Sequence, residues 1–115
     1  MNLVVGDVFL INFGQNIGAE FSGKHYAVIL TTQVNNTMLV VPITSKKRNK
    51  RYRGGITLNN TKYQKNPSCE KSFCYVRKIR EVDRSRLIKH VYSLDDKDFK
   101  ALLKKITEII SNNSR

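Results

Sequence analysis

Acidic side chains are scarce in the first two thirds of this sequence. Asp7 and Glu20 are the only acids before residue 70, and the chain of 115 residues carries 21 Lys and Arg against 9 Asp and Glu. The formal net charge of +12 attracts polyanions and speeds their encounter with the protein. A solvated surface that only keeps the protein soluble is the simpler alternative. On so short a chain, the charge favours nucleic acid as the partner.

Long apolar runs and export signals are also missing. No apolar segment approaches the roughly 20 residues that span a bilayer. The first residues, MNLVVGDVFLINF, lack the basic region and the small-residue cleavage site of a signal peptide. These absences predict a cytoplasmic protein without a membrane partner. The length of 115 residues predicts a single domain over 1–115 that can bury a core without disulfides or metal.

Cysteine is limited to Cys69 and Cys74. A cytoplasmic location predicts that both are reduced thiols. Zinc sites need a second pair of Cys or His ligands at a suitable spacing. The C-x4-C spacing here has no such pair nearby, and His90 lies far along the chain. We therefore predict no metal site and no cofactor.

The positive charge is concentrated in one block. Six of the eight residues from Lys46 to Arg53 are Lys or Arg. The block lacks the periodicity of a basic amphipathic membrane helix, so a dissolved polyanion is the better supported partner. It follows directly on the apolar segment VVPITS, which ends in two hydroxyl side chains. Another apolar segment, GKHYAVILTT, begins with a lysine and a histidine.

Short β-branched and aromatic segments predict five or six strands. They are DVFLINF, YAVILTT, TMLVVPITS, GGITL, SFCYVRKIR and VYSL. The NN pair at 35–36 predicts a hairpin turn between the second and third strands. Pro42 has no N–H, which predicts a bulge or a free edge in the third strand. Alternation over residues 72–80 predicts two faces. These are Phe73, Tyr75, Arg77 and Ile79 on one side, and Cys74, Val76, Lys78 and Arg80 on the other.

The C-terminal segment predicts an amphipathic helix. Ser93 is its expected N-cap, and Asp95, Asp96 and Asp98 fall in the first turn, where the helix dipole favours acids. Its apolar stripe has helical spacing: Phe99, Leu102, Leu103, Ile106, Ile109 and Ile110. The segment VDRSRLIKHV predicts a short helical turn capped by Asp83. The order of elements predicts a mainly β fold of the α+β class, a small β-barrel with a C-terminal amphipathic helix.

The order of these motifs resembles the MazF/PemK family of toxin endoribonucleases. The similar segments are GDVFLINF, GAEFSGKHYAVIL, VVPITS, YVRKIREVDRSRL and the closing helix, from Gly6 to about Ile110. The resemblance implies an SH3-like β-barrel, a homodimer, and an acidic antitoxin protein that covers the RNA groove. It also implies metal-independent cleavage of single-stranded RNA at a short preferred sequence, the activity of an mRNA interferase.

The resemblance also implies site residues, position by position. The family usually has Arg-Pro before its second strand, and this chain has His25-Tyr26 there. The Thr-Ser that follows the family's third strand is present as Thr44-Ser45. The family's Glu-Gln-Ile-Arg corresponds to RKIR at residues 77–80, which keeps the final arginine and adds charge. Glu20 stands near its usual place in the long loop.

RNA cleavage without metal needs a base for the ribose 2′-OH, donors for the phosphorane and an acid for the departing 5′ oxygen. A histidine titrates near neutral pH, so His25 is expected to act as base or acid. Cleavage would leave a 2′,3′-cyclic phosphate and a 5′-OH. We predict that Tyr26, Phe21 or Tyr52 stacks on exposed bases. The predicted catalytic residues are His25 and Thr44, and the predicted substrate-binding residues are Glu20, Lys24, Tyr26, Ser45, Lys46, Lys47, Lys78 and Arg80.

Simpler interpretations of these residues stay open. A histidine at a strand start is often only a surface residue, Thr44 and Ser45 fit a turn, and Lys78 and Arg80 fit a solvent-exposed face. Two other functions also stay open. A catalytically degenerate barrel would bind nucleic acid without cutting it. A toxin of the gyrase-directed kind would dock on a protein through its C-terminal helix, although the basic block argues against this.

Overall fold

The computed structural model describes residues 3–15 and 22–112. One α-helix, α1, spans Asp96–Ser111. The strands are β1 Asp7–Asn12, β2 Lys24–Ile29, β3 Thr37–Ser45, β4 Gly55–Asn59, β5 Lys71–Tyr75, β6 Arg80–Asp83 and β7 Leu87–Ser93. Three 3₁₀ turns, Asn60–Lys62, Val76–Lys78 and Arg84–Arg86, connect the later strands.

All the strand pairs of the sheet are antiparallel, and its order is β4-β5-β3-β2-β1-β7, with β6 also paired to β3. The predicted mainly β fold with a C-terminal helix is therefore confirmed. In the described part of the chain, β4 and β7 end the path and do not pair with each other, so the hydrogen-bonded sheet is not closed into the predicted barrel. Helix α1 packs beside β4 instead.

Pro42 marks the point where β3 changes partners. On one side, Pro42 lies opposite Ala27 of β2. On the other side, β3 pairs with β6 up to Val40 and with β5 from Ile43 onward. The proline falls in the gap between these two pairings, so the sheet loses no hydrogen bond for lack of its N–H. The free edge predicted at this proline is confirmed.

The single strand predicted over residues 72–80 is wrong. A 3₁₀ turn at Val76–Lys78 divides it into β5 and β6, closed by a bond from the Ile79 N–H to the Val76 carbonyl at 3.2 Å. Phe73 and Tyr75 do share a face, since both rings pack on Tyr52. Beyond Tyr75 the two-residue alternation is lost because the chain must step from one part of the β3 edge to the other.

Two apolar clusters pack on opposite faces of the sheet, as alternation along the strands requires. The first lies on the α1 side and consists of Val8, Val28, Val41, Ile43, Leu58, Cys74, Val76, Tyr92 and Leu102. The second consists of Phe9, Ile11, Phe13, Ala27, Ile29, Met38, Val40 and Val82. A residue two or four positions beyond a cluster member on the same strand therefore lies on the same face of the sheet as that member. This assigns the side chains of the candidate site to one face or the other.

Helix α1 begins two residues later than Ser93 would place it. Its N-cap is Asp95, whose Oδ1 accepts a bond from the Asp98 N–H at 2.8 Å. Ser93 belongs to β7, and its hydroxyl donates to Asp7 at 2.6 Å, so it has no part in capping. Asp96 and Asp98 do occupy the first turn, as predicted. Within the apolar stripe of the helix, Leu102 is fully buried, with 0% of its surface exposed.

Residues 82–91 form less helix than predicted. Asp83 does cap a turn, accepting a bond from the Ser85 N–H at 2.8 Å, but the turn is only Arg84–Arg86. The chain from Leu87 onward pairs with β1 as the strand β7, of which the predicted VYSL strand is the end. Pairing with β1 over Leu87–Ser93 gives this segment backbone hydrogen bonds that a single exposed helical turn would not.

The turn between β2 and β3 and the state of the two cysteines agree with the predictions from sequence. Asn35 and Asn36 have φ angles of 51° and 67°, so the predicted hairpin turn is confirmed. Both cysteines are free, as predicted. Burial raises the pKa of the Cys74 thiol to about 12. No helix in the described ranges combines the length and apolar character needed to cross a membrane.

The basic loop of residues 46–54 crosses β5. Strands β3 and β4 flank β5 and are both antiparallel to it, so the chain between them must return across this strand. The Tyr52 ring packs on those of Phe73 and Tyr75, with centroids 5.2 and 6.2 Å away. Its hydroxyl accepts a bond from the Lys47 N–H at 2.9 Å and donates to the Ser45 carbonyl at 3.2 Å. Tyr52 therefore anchors the loop, contrary to its predicted role of stacking on an exposed base.

Candidate functional site

His25 and Thr44 lie on neighbouring strands at the same end of the sheet. The paired register of β2 with β3 ends at Tyr26 and Ile43, and the next residues of the two strands, His25 and Thr44, border one pocket. Both side chains fall on the face of the second apolar cluster, because Ala27 and Val40 of that cluster lie an even number of residues away.

The imidazole of His25 is oriented by the backbone. Its Nε2 lies 2.9 Å from the Ser22 carbonyl oxygen. A carbonyl oxygen can only accept, so Nε2 carries the proton, and the lone pair of a neutral ring is then on Nδ1. The ring also packs against Phe13, with centroids 6.2 Å apart. The half-buried position and these contacts limit the directions in which the ring can act.

Arg80 reaches the same region from β6. Its guanidinium lies 5.3 Å from the centroid of the Phe13 ring, in a cation–π arrangement. The register places Arg80 opposite Val40, on the face that carries Thr44. Phe13 is only 1% exposed and thus forms a fixed support between the guanidinium and the imidazole. The structure therefore links His25 and Arg80, which were predicted separately, through Phe13 and places Thr44 on the same face of the sheet.

Lys46 continues this surface beyond Thr44. It follows the end of β3, and its Nζ donates to the Thr57 hydroxyl at 2.9 Å. Thr57 pairs with Phe73, which in turn pairs with Thr44, so these residues form one cross-strand row. Lys46 thus places a positive charge near His25 and Thr44 from the side of β4, as Arg80 does from the side of β6.

Lys24, Tyr26 and Ser45 alternate with this pair and lie at a pocket on the other face of the sheet. The Tyr26 ring packs edge-on against Tyr92 of the first cluster, with centroids 6.4 Å apart. The pocket has a volume of about 240 Å³. It is lined by Leu10, Lys24, His25, Tyr26, Ile43, Thr44, Ser45, Asn60, Gln64, Ser68, Cys69 and Ser72. His25 and Thr44 border it because the sheet ends there.

Two predicted substrate-binding lysines lie elsewhere. Lys47 lines a cleft formed by the basic loop and the start of β5. Lys78 lies 5.7 Å from the centroid of the Tyr75 ring, at the opposite end of β5. Ser72, which lines the pocket beside His25, and Tyr75 are three positions apart on β5, which is about 10 Å along the strand. The predicted sharing of one strand face by Lys78 and Arg80 is therefore wrong, because the 3₁₀ turn intervenes.

Glu20 and Phe21, predicted to contact RNA, lie outside the described residues. Within the described ranges, no three His, Cys, Asp or Glu side chains are grouped closely enough to hold a metal ion. Positively charged side chains near His25 include Lys24, Arg80 and Lys46, and Arg86 donates to the Asn12 carbonyl at 3.1 Å.

Comparison with known proteins identifies the family. The profile of the PemK-like, MazF-like toxins of type II toxin-antitoxin systems matches residues 5–110. The chain belongs to this family. No curated protein sequence matches the chain significantly.

Solved MazF structures share the fold of this family member. A MazF (Form-I) from Deinococcus radiodurans has a TM-score of 0.72 at 21% identity, over 93% of this chain and 94% of that one. The Mycobacterium tuberculosis toxin MazF-mt6 has a TM-score of 0.66 at 15% identity, over 91% and 96%. The MazE-MazF (Form-II) structure from D. radiodurans gives a TM-score of 0.66 at 20% identity, over 93% and 94%. At these identities the likeness concerns the fold.

Several residues at the site of this MazF-like chain were missed by sequence reasoning. Phe13 ends the first predicted strand, and its aromatic character was visible in the sequence, but its contacts with both His25 and Arg80 were not. Asn60 stands in a stretch that reads as a polar loop, yet it is only 2% exposed. Its side chain donates to the Ser72 hydroxyl at 2.8 Å. Only the three-dimensional path of the 3₁₀ turn after β4 shows that this asparagine is inside the protein.

Proposed function

We propose that this chain is the toxin of a toxin-antitoxin pair and that it cleaves single-stranded RNA without a metal ion. The observation that carries the proposal is that His25 and Thr44, on neighbouring strands, border one pocket, with Arg80 held on the same face by Phe13. Such a surface offers a proton acceptor, a hydroxyl donor and a fixed positive charge around one position. These are the groups that cleavage through the ribose 2′-OH requires.

In the proposed reaction, His25 takes the proton from the 2′-OH of the nucleotide before the scissile bond. As long as Nε2 donates to the Ser22 carbonyl, Nδ1 is the atom that takes it. The 2′ oxygen then attacks the adjacent phosphorus, and the bond to the 5′ oxygen of the next nucleotide breaks. That oxygen takes up a proton from the imidazolium or from water. The products are a 2′,3′-cyclic phosphate and a 5′-OH end.

Thr44 and Arg80 act on the phosphate in this proposal. The Thr44 hydroxyl donates to a non-bridging oxygen as negative charge builds there. The Arg80 guanidinium supplies positive charge that does not depend on pH, and its stacking on Phe13 keeps it in place. Donors fixed before the reaction are effective because they need no reorganisation in the transition state.

The basic loop supplies attraction over a wider area. Lys46, Lys47, Arg48 and Lys50 border one cleft of the surface, together with Lys71 and the single acid Glu70. Contacts of this kind bind the RNA backbone with little regard to sequence. Their role in the proposal is to hold the chain on either side of the scissile phosphate.

An acidic antitoxin is the proposed regulatory partner. The net charge of +12 suits an acidic segment that covers the same surface as RNA. One structural relative is described as MazE-MazF, which names a partner for that protein. A homodimer acting in the cytoplasm, as the family resemblance implies, completes the proposal.

The decisive test is an RNA cleavage assay in EDTA with the product ends mapped. Wild-type protein should cut and leave cyclic phosphate and 5′-OH ends. His25→Ala should lower the rate by about 10²- to 10⁴-fold, the usual contribution of a general base or acid. His90→Ala is the matched control, since His90 lies on β7, where it contacts Asp7 and Ser93. Equal loss in the two variants would contradict the proposal.

One observation favours a second candidate function. The family's usual arginine is replaced by His25, and an imidazole lacks the planar fork of N–H donors with which a guanidinium binds phosphate. A catalytically degenerate barrel would bind RNA tightly and with a steep salt dependence but would leave it intact. Binding by wild-type protein without any new RNA ends in the same assay would support this alternative.

A further inference from the structure

The pocket of about 240 Å³ beside the candidate catalytic pair differs in chemistry from the rest of the basic surface. Its lining combines the largely apolar side chains of Leu10, Tyr26 and Ile43 with uncharged hydroxyl, amide and thiol groups. Lys24 is the only charged side chain among its lining residues apart from the imidazole of His25. A phosphate would be bound better in the clefts of the basic loop, where several cations meet.

Asn60 is a polar side chain buried at this pocket. It is 2% exposed, and its backbone N–H donates to the Glu70 carbonyl at 2.9 Å. Its Nδ2 donates to the Cys69 carbonyl at 3.0 Å and to the Ser72 hydroxyl at 2.8 Å, and lies 3.3 Å from the Cys69 sulfur. These contacts fix the plane of the amide. Its Oδ1, by contrast, accepts no hydrogen bond from any described residue.

Tyr92 carries a second buried polar atom without a partner in the described ranges. Its ring lies between Tyr26, which it meets edge-on, and Tyr63, on which it stacks at 4.8 Å. Burial raises the pKa of the Tyr92 hydroxyl, so it stays protonated and can donate as well as accept. Tyr92 packs behind the lining residue Tyr26 and does not itself line the pocket. Buried polar groups are nearly always paired, so the unpartnered Oδ1 of the lining residue Asn60 indicates that a bound molecule supplies its partner.

We propose that this pocket takes one unstacked base of the RNA and that Asn60, together with Gln64, reads its hydrogen-bonding edge. The proposal rests on the proposed function and specifies its base selectivity. A nucleobase is flat and apolar on its faces and carries donors and acceptors on its edges. This matches the mixture of apolar and uncharged polar residues that line the pocket. The volume also lies below the range of about 300–1,000 Å³ typical of sites for larger ligands. Because Lys24 and His25 are consecutive, a nucleotide can place its base here and its phosphate at His25.

The test is an NMR titration of ¹⁵N-labelled full-length protein with the four nucleoside 3′-monophosphates, and with inorganic phosphate as the probe for charge alone. One base should shift the Asn60 side-chain amide and the Cys69 and Ser72 backbone amides at a lower concentration than the other three. Inorganic phosphate should leave these signals in place. Shifts that are equal for all four bases, or confined to residues 46–54, would overturn the proposal.

Variants at the pocket rim extend the test without disturbing the buried amide. Gln64→Ala should weaken binding of the preferred nucleotide about fivefold, the value of one hydrogen bond. Ser68→Tyr, at an exposed position, should block the pocket and abolish the preference. Gln33→Ala is the matched control, since Gln33 contacts Asn36 in the turn at the far end of β2 and β3. Unchanged binding in both rim variants would overturn the proposal.

The outcome is separable from that of the proposed function. If a base binds the pocket but RNA is never cut, only the nuclease proposal fails. If RNA is cut while the pocket signals do not move with any nucleotide, only the base-reading proposal fails.

Discussion

The guanidinium of Arg80 lies 5.3 Å from the centroid of the Phe13 ring, the same buried ring that packs against His25. This arrangement joins β6, the end of β1 and the start of β2 into one surface. It holds a permanent charge close to a group that exchanges protons, without requiring direct contact between the two. The arrangement leads to a prediction about charge and shape at position 80.

Arg80→Met should reduce kcat/KM for a short RNA by about 10²-fold, because it removes charge stabilisation of the phosphorane. Arg80→Lys should restore only part of this loss, since an ammonium group lacks the planar face that stacks on Phe13. Arg84→Met removes the same charge in the following turn and is the control. Equal kinetics for the Met variants at 80 and 84 would contradict the role assigned to Arg80.

Gly55 begins β4 where backbone approaches backbone. A Cβ at this position would lie 1.8 Å from the Cys74 carbonyl oxygen, and the carbonyl cannot move without breaking the β4–β5 ladder. Gly55→Ala should therefore lower the free energy of unfolding by more than about 2 kcal/mol in urea titrations. Gly23→Ala is the control, with a strained φ of +76° but no atom of the described residues within 4 Å of the added carbon. It should cost only about 1–2 kcal/mol, and a larger loss there than at Gly55 would contradict the account.

The N-terminus of α1 should make stability depend on pH in acid. The pKa of Asp95 is lowered first by its bond with Lys62, 2.5 Å away, and by the Asp98 N–H that it caps. A lowered carboxyl pKa stabilises the folded state above the ordinary value of 3.8, and this is lost as pH falls through the folded value. Asp95→Asn should flatten the decline in urea midpoint below about pH 4. If Asp96→Asn flattens it equally, Asp95 is not the group responsible.

The two thiols should differ in reactivity in the folded protein. Burial raises the pKa of Cys74 to about 12, so almost no thiolate forms at pH 8. Cys69 is half-exposed in the loop before β5. Iodoacetamide should therefore modify Cys69 alone in native protein and both thiols in urea, as measured by mass spectrometry of the digested chain. Modification of Cys74 at the rate of Cys69 under native conditions would contradict the described packing.

Tyr52→Phe should loosen the basic loop. The change removes the acceptor of the Lys47 N–H and the donor to the Ser45 carbonyl, while the ring contacts with Phe73 and Tyr75 remain. Hydrogen exchange at the Lys47 amide should become about fivefold faster, consistent with the loss of about 1 kcal/mol for its hydrogen bond. The Lys46 amide, which donates to the Lys71 carbonyl at 2.9 Å, is the internal control. Unchanged exchange at Lys47 would show that Tyr52 does not anchor the loop.

Much of the architecture could be predicted from local chemistry. The Asn35–Asn36 turn, the edge at Pro42, the acidic first turn of α1 and the cap at Asp83 all depend on groups close in sequence. The division of residues 72–80 could not be predicted, because it depends on where β3 exchanges one partner for another. The same holds for Ser93, whose hydroxyl is used by Asp7 of β1 rather than by the helix.

The candidate site shows the same limit. His25, Thr44 and Arg80 were each identifiable from the residue types and the family resemblance. Their placement on one face depends on the register of β2, β3 and β6, which no local pattern specifies. Asn60 could not be found at all, since asparagine in a polar stretch ordinarily indicates a turn at the surface.

The central claim is that His25 and Thr44 act on the same phosphate, and a double-mutant cycle tests it most directly. Single-turnover RNA cleavage in EDTA would be measured for wild type, His25→Ala, Thr44→Ala and the double variant, each checked for folding by circular dichroism. Groups that act as a unit are strongly non-additive. The account predicts that the double variant is no more than about threefold slower than the slower single variant. Multiplication of the two single effects would show that the residues work independently and would contradict the account.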